Sequence, residues 1–190
     1  MDLPSVDWWP GGAWGTFWLF MLPIGPVKPA GILAGKNAGL DAFALLGLYL
    51  AKDVATSLYL DPLLRLGGRI GSRYPWSRTV AEQIAAIVAR LQITPGRWGQ
   101  MGSLALIGLG AGFMTGAVAL ANTPISPPLG WLGVILGDVV WFSLLLAAAL
   151  GLSSVMPDDR LVFAGVVVLA LIGQPLARHL STWAKERPGG

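Results

Sequence analysis

The sequence predicts an all-α integral membrane protein, a polytopic bundle of about six transmembrane helices. Of its 190 residues, 54% are hydrophobic and only 12% are charged, and the mean hydropathy is +0.64. A soluble domain of this size has too small an interior to bury that much apolar surface. Three nearly uncharged runs, 101–121, 129–152 and 161–177, approach the roughly 20 residues that a helix needs to cross a bilayer.

The residue types that are rare in the chain exclude several kinds of chemistry. There is no cysteine and a single histidine, His179, so thiol chemistry and cysteine-ligated metals are excluded. Membrane enzymes usually rely on histidine, cysteine or clustered acids, so an enzyme is not expected, and neither is a metal or another cofactor. The net charge of +3 does not indicate a nucleic-acid partner, because the basic residues lie where membrane topology favours them.

The first hydrophobic segment, 13–34, cannot be one regular helix. It contains Pro23, Pro26 and Pro29, and proline removes a backbone hydrogen-bond donor and clashes with the preceding turn. We expect this segment to be broken or unwound in its middle. The second segment, 40–60, has no such interruption and precedes a loop rich in arginine.

The third segment, 79–93, is short and polar, and it allows two interpretations. It either spans the membrane or lies on its surface as an amphipathic helix. The arginine-rich loop 65–78 and the basic tail 178–190 should both be cytoplasmic, which requires an even number of crossings between them. The three apolar runs supply three crossings between the loop and the tail. An even number therefore requires the third segment to supply a fourth, so this rule favours a spanning third segment. The sequence thus predicts six helices in the inner or plasma membrane of the cell, with both termini cytoplasmic.

Two stretches of the chain resemble each other at a constant offset of 86 residues. Residues 46–60 and 132–146 align without a gap, and seven of the fifteen pairs are identical. A register shifted by one instead aligns Asp53 with Asp138. Chance similarity between two leucine-rich helices is the alternative to an internal repeat.

An offset near half of the chain divides one membrane domain, residues 1–190, into the halves 1–95 and 96–190. Each half has three predicted helices, and an odd number makes the halves enter the membrane from opposite sides. Inverted repeats of this kind are typical of secondary transporters, whose substrate sites lie near the midplane at the repeat interface.

Three charged residues lie within the predicted spans, where they are costly. Lys52 and Asp53 are near the middle of the second segment, and Asp138 is near the middle of the fifth. At the 86-residue offset Lys52 and Asp138 occupy equivalent positions, which predicts an ion pair. Asp53 points about 100° away around the helix, so it is available for a proton or a cation, or for contact with Lys28. The alternatives are an ion pair that only fixes helix register, and a shifted span in which Lys52 extends to the interface.

Irregular backbone gives a second group of candidate binding residues. The stretch 22–31 frees backbone carbonyl groups and carries Pro26 and Lys28, and its counterpart in the second half, 108–117, is rich in glycine and carries Thr115. Corresponding interruptions in both halves indicate a binding site. For the glycines, close helix packing is the alternative, and taken alone they favour it.

Two short motifs resemble those of the LysE-type exporter superfamily. These are PIGP at Pro23–Pro26 and LGD at Leu136–Asp138. The resemblance implies three-plus-three inverted halves and the efflux of a small solute or ion.

The sequence therefore favours a small transporter or exporter, coupled to protons, with a substrate or ion site formed by Asp53, Asp138, Lys52, Lys28, Pro26 and Thr115. Apolar surroundings favour the neutral form of a carboxyl group and raise its pKa, which lets such a group bind and release a proton during a transport cycle. The alternative is a non-catalytic membrane subunit or assembly factor, and a third hypothesis is a transferase acting on a lipid headgroup. The expected partners are the lipid bilayer and a small solute or ion, with homo-oligomerisation left open.

Overall fold

The protein is helical throughout the part that the computed structural model describes, residues 11–22, 27–71, 96–156 and 158–186. No strand occurs in these ranges, so the all-α prediction is confirmed. The helices are α1 Gly12–Met21, α2 Val27–Asn37, α3 Ala42–Gly71, α4 Arg97–Ala111, α5 Phe113–Ala121, α6 Pro127–Val155 and α7 Asp159–Glu186.

Two of the described helices are long and apolar enough to cross a membrane, Ala42–Leu64 of α3 and Pro127–Val155 of α6. Their 23 and 29 residues give lengths of about 35 and 44 Å, against a hydrocarbon core of about 30 Å. They correspond to the second and fifth predicted segments. Helix α3 continues to Gly71 with Pro62 inside it, beyond the predicted end at residue 60.

The first predicted segment is divided between α1 and α2, as the prolines indicate. Helix α1 ends at Met21, and Leu22 follows with extended backbone, φ −70° and ψ 127°. Helix α2 begins at Val27. Pro29 is the third residue of α2, where its missing N–H would have no helical partner. Pro23 and Pro26 lie outside the described residues.

Helices α1 and α2 lie side by side and run in opposite directions. A methyl group added to Gly31 would overlap the Phe20 ring, and one added to Gly35 would lie 3.1 Å from Thr16 Cγ2. The contact partner on α1 thus changes from residue 20 to residue 16 as the position on α2 advances from 31 to 35, which shows that the two helices are antiparallel. At 10 and 11 residues each helix is about 15–17 Å long, so the segment folds back instead of continuing straight across.

The fourth predicted segment is also divided, at Gly112. This residue ends α4 and precedes α5 with φ 87° and ψ 167°, a conformation that residues with a side chain rarely adopt. Methyl groups added to Gly108 and Gly116 would lie 2.6 Å from Val134 O and 2.8 Å from Val134 Cγ1. Eight residues of straight helix would separate these glycines by about 12 Å, so the chain bends sharply at Gly112.

The third and sixth segments complete the comparison with the sequence. The third, 79–93, lies outside the described residues, so its two interpretations stay open. The sixth, 161–177, falls within α7, which begins at Asp159 and continues to Glu186.

The described residues belong to two compact units. Unit 1 comprises the described residues within 1–52 and 142–171, and unit 2 comprises those within 53–141 and 172–190. Unit 1 contains α1, α2, the N-terminal part of α3 and the C-terminal part of α6. Unit 2 contains α4, α5, the C-terminal part of α3 and the N-terminal part of α6. Helix α7 is divided between the two units. Neither unit coincides with a predicted half of the sequence.

Unit 1 has its own apolar core and an ion pair near its surface. Lys36 Nζ, at the end of α2, lies 3.3 Å from Asp159 Oδ1, at the start of α7, and the side chains are 35% and 47% exposed. The core includes the buried side chains of Ile32, Leu45, Leu145, Ala149, Val162 and Val166.

Unit 2 is built on close contact between α4 and α6. A methyl group added to Gly133 would lie 2.7 Å from Met101 O, and one added to Gly137 would overlap Ala105 O. The two helices run in the same direction here, and glycines four residues apart let their backbones touch. The surrounding core contains Leu104, Ile107, Phe113, Ala117, Leu120, Trp131 and Val134.

The substitution Gly137→Ala should destabilise the protein by about 1–3 kcal/mol, since the new methyl group meets a backbone carbonyl that cannot move alone. The matched control is Gly151→Ala in the same helix, where nothing lies within 4 Å of the added carbon. That change should be neutral or stabilise by up to about 1 kcal/mol. Thermal unfolding in detergent micelles measures both, and equal midpoints for the two variants would contradict the packing described.

Candidate functional site

The site in unit 1 is organised around the ring of Tyr49, on α3. This ring stacks on Phe142 of α6 with centroids 3.8 Å apart and planes 3° apart. The ring of Phe20, on α1, meets both edge-on at 5.2 Å and 5.3 Å. All three rings are buried, with exposed fractions of 5% or less. We call Phe20, Tyr49 and Phe142 the aromatic cluster.

Two predicted site residues meet at this cluster. Lys52 Nζ lies 4.1 Å from the centroid of the Tyr49 ring, and Lys28 Nζ lies 5.4 Å from it. Because Phe142 covers one face of the ring, the ammonium groups share the other face. They are no further apart than the sum of these two distances. The electron-rich ring face attracts both cations, which helps to hold Lys52 at only 7% exposure.

Local sequence explains why these three residues meet. Tyr49 and Lys52 are three residues apart on α3, so both side chains lie on one side of the helix. Lys28 is the second residue of α2, and the fold-back of α1 and α2 brings the start of α2 to the same ring. The site therefore places two lysine ammonium groups next to the interruption of the first segment.

The two predicted carboxylates belong to unit 2, and both are fully buried. Asp53 and Asp138 each have an exposed fraction of 0%. Each is the twelfth residue of its candidate span, Ala42–Leu64 or Pro127–Val155. A methyl group added to Gly108 would lie 3.3 Å from Asp138 N, so α4 reaches the α6 backbone beside this residue.

Thr115 has a partner within its own chain segment. Its hydroxyl donates a hydrogen bond to Ala111 O at 3.0 Å, across the interruption at Gly112. The bond satisfies one of the carbonyl groups that the end of α4 leaves without a helical donor. Pro26, the remaining predicted site residue, lies outside the described residues.

The structure thus brings Lys28 and Lys52 together at Tyr49. The predicted ion pair between Lys52 and Asp138 joins residues of different units and stays a prediction. Sequence reasoning missed the aromatic cluster, although an aromatic residue three positions before a lysine in a predicted span was a usable signal. Among the described residues, no three acidic or histidine side chains are grouped so as to hold a metal ion.

No protein-family model matches this sequence, and no curated protein or solved structure matches it closely enough to count as a relative.

The attraction between the Tyr49 ring and Lys52 can be measured with a double-mutant cycle in stability. Tyr49→Leu and Lys52→Met, made singly and together, should give a coupling energy of about 0.5–2 kcal/mol. The control cycle pairs Tyr49→Leu with Lys36→Met, because Lys36 contacts Asp159 instead, and its coupling should be close to zero. Equal coupling in the two cycles would show that Lys52 gains nothing from the ring.

Proposed function

We propose that the protein is a small integral membrane transporter or exporter, which moves a small solute or ion past buried ionisable groups at the middle of the bilayer. One observation carries the proposal. Lys52, Asp53 and Asp138 are exposed by only 7%, 0% and 0%, and they lie near the middle of the two candidate spans. An ionised group there costs about 2.5–3.5 kcal/mol on insertion scales, and such groups commonly line ion or substrate paths.

The distribution of exposed residues supports a membrane location. Phe43, Leu58 and Leu106 are 85%, 71% and 64% exposed, while the three charged side chains are buried. A soluble protein shows the opposite arrangement, with its charged residues outside and its large apolar residues inside. Lipid is the solvent that suits apolar side chains on the outer faces of helices.

Helix boundaries support the internal repeat more strongly than the sequence does. Helices α1, α2 and α3 begin at residues 12, 27 and 42, and helices α4, α5 and α6 begin at residues 97, 113 and 127. The offsets are 85, 86 and 85 residues, close to the 86 found in the alignment. Chance similarity between leucine-rich stretches gives no reason for three helix starts to recur at one spacing.

The composition of the two units supports opposite orientations for the repeats. Unit 1 holds the N-terminal part of α3 and the C-terminal part of α6, and unit 2 holds the reverse combination. Opposite chain directions of the two long helices account for this exchange. We propose on this basis that the repeats are inverted in the membrane.

The fold-back of the first segment changes the expected topology. If the paired helices α1–α2 and α4–α5 do not cross the membrane, the crossings between the arginine loop and the basic tail are those of α6 and α7, plus one more if segment 79–93 spans. The positive-inside rule then favours a surface position for 79–93. The C-terminal tail remains cytoplasmic, and the start of α1 moves to the opposite side, unlike the expectation from the sequence.

Transport is preferred over the alternative of a non-catalytic membrane subunit. A subunit would use small-residue helix faces to bind other proteins, but Gly133 and Gly137 already contact α4 within this chain. The motifs that resemble the LysE-type exporters, one of which ends at Asp138, also favour transport.

The variant Asp53→Asn should abolish proton flux that depends on pH, because an amide has the shape of the carboxyl group but cannot take up a proton. Proteoliposomes loaded with a fluorescent pH indicator and subjected to an acid jump measure this flux. The matched control is Asp41→Asn, in which an exposed residue accepts a hydrogen bond from Ala44 N at 2.7 Å and asparagine caps the helix equally well. Its flux should equal that of the unaltered protein.

Normal flux in Asp53→Asn, with the protein inserted and folded, would contradict the role assigned to Asp53. If the unaltered protein collapses the pH gradient no faster than empty liposomes, proton coupling itself is contradicted.

Because the chain has no cysteine, single introduced cysteines report membrane sidedness without background. Ala38→Cys lies in the exposed connection that precedes α3, and Ser126→Cys lies in the exposed connection that precedes α6. These two connections are equivalent in the proposed repeat. A membrane-impermeant maleimide should label them from opposite faces of sealed, oriented vesicles. Gly11→Cys should be labelled from the same face as Ala38→Cys if α1 and α2 fold back. Labelling of positions 38 and 126 from one face would rule out inverted repeats.

A further inference from the structure

Helix α1 carries a second group of aromatic rings, on its exposed side. Trp14 and Phe17 stack with centroids 5.6 Å apart and planes 9° apart. Trp18 meets both rings edge-on, at centroid distances of 5.7 Å and 6.0 Å. Trp14 is 59% exposed and Trp18 is 43% exposed, so much of the ring surface is open to the surroundings. We call Trp14, Phe17 and Trp18 the aromatic face of α1.

The two indole rings of this face each carry a polar N–H group. Among the described residues, none accepts a hydrogen bond from Trp14 or Trp18, whereas the buried Trp131 donates from Nε1 to Asp61 Oδ1 at 3.0 Å. Hydrocarbon would leave both N–H groups without an acceptor, which costs free energy. Water would supply acceptors but would hydrate the apolar ring faces, which is also unfavourable. The headgroup layer of a bilayer meets both requirements, and tryptophan is enriched there.

The level of the aromatic face within unit 1 fits this surrounding. Because α1 and α2 are antiparallel, the start of α1 lies beside the end of α2, where a methyl group added to Gly35 would lie 3.1 Å from Thr16 Cγ2. Thr16 lies between the two tryptophans in the sequence. The residue after Gly35 is Lys36, which pairs with Asp159, and both of these side chains are partly exposed. The rings are therefore level with a charged end of the unit, where a bilayer presents its headgroups.

The fold of the proposed repeat does not require aromatic residues at these positions. Helices α1 and α4 begin 85 residues apart, and at this offset the equivalent positions of α4 are Gly99, Gly102 and Ser103. These small residues line a groove in unit 2, and Gly102 is exposed. The short helix of one repeat thus forms without the rings that the other carries. This difference favours a partner outside the chain for the aromatic face of α1.

We propose that the aromatic face of α1 binds the headgroup layer of the membrane and holds the start of α1 at that depth. The indole N–H groups donate hydrogen bonds to phosphate or ester oxygens of the lipid, and the ring faces contact the first carbons of the acyl chains. The assignment rests on the membrane location proposed above and does not depend on transport.

Fluorine NMR of the full chain, labelled with fluorotryptophan in phosphatidylcholine nanodiscs, measures the depth of each ring. The variants Trp14→Phe and Trp18→Phe identify the two resonances by their loss. Paramagnetic broadening falls with the sixth power of distance. A nitroxide on the lipid headgroup should therefore broaden both resonances about 5-fold more than a nitroxide at the end of an acyl chain, since the two labels differ in depth by about 15 Å, half of the hydrocarbon core.

The variant Val54→Trp adds a reference ring in the middle of a candidate span. Val54 is 43% exposed and is the thirteenth of the 23 residues of Ala42–Leu64, so the label at the chain end should broaden its resonance more. The opposite order for this ring, or no broadening by either label, would contradict the membrane location and the assignment with it. If the reference ring behaves as expected, a ratio near one or below for the Trp14 and Trp18 resonances would overturn the assignment alone.

A second copy of the chain is the competing partner, since its α4 groove could receive the rings. Neither label would then broaden the Trp14 and Trp18 resonances strongly. The variant Gly102→Leu fills this groove at a position where nothing lies within 4 Å of an added carbon. Broadening that appears only in Gly102→Leu would overturn the assignment, whereas the same ratio in this variant and in the unaltered protein supports lipid as the partner.

Discussion

Both pairs of short helices pack closely at glycine residues, where an added methyl group would meet a neighbouring atom. In the first pair, Gly31 and Gly35 allow α2 to lie against Phe20 and Thr16 of α1. In the second pair, Gly108 and Gly116 let the chain on both sides of the bend approach Val134. Dispersion forces act over short distances, so helices without much hydrophobic driving force between them need such close approach. The positions of Lys28 and of the α4 backbone beside Asp138 follow from these contacts.

Aromatic surroundings are one means by which unit 1 accommodates two lysines. A lysine that is removed from water needs compensation for the lost hydration. The Tyr49 ring supplies part of it to Lys52 and Lys28 at one face, and its other face packs on Phe142. A single ring thereby links the start of α2, the middle of α3 and the C-terminal part of α6. In unit 2, the carboxyl groups of Asp53 and Asp138 are also removed from water, and they too need compensation for lost hydration.

The sequence predicts the kind of element better than the direction of the chain. Proline at positions 23 and 26 indicates that a helix stops, but it does not say whether the next helix continues or turns back. That choice depends on Gly31 and Gly35 facing α1, which is a tertiary contact with no local signal. In the glycine-rich stretch 108–117, Gly112 interrupts the helix, and Gly108 and Gly116 pack closely on Val134. The expected interruption and the close packing are both present, and the binding site stays a prediction. The meeting of Lys28 with Tyr49 is likewise tertiary, whereas the spacing of Tyr49 and Lys52 was visible in the sequence.

In the topology that we propose, Gly112 determines how many times the polypeptide passes through the lipid. Residues 97–121 would make a continuous helix of 25 residues, about 37 Å long, and that length is enough to span the hydrocarbon core. A side chain at position 112 would disfavour the positive φ of 87° and so favour the straight helix. In the proposed topology the straight form would add one passage, and every residue after it would then lie on the other side of the membrane. The membrane orientation that we propose for the C-terminal part of this protein therefore depends on the absence of one Cβ atom.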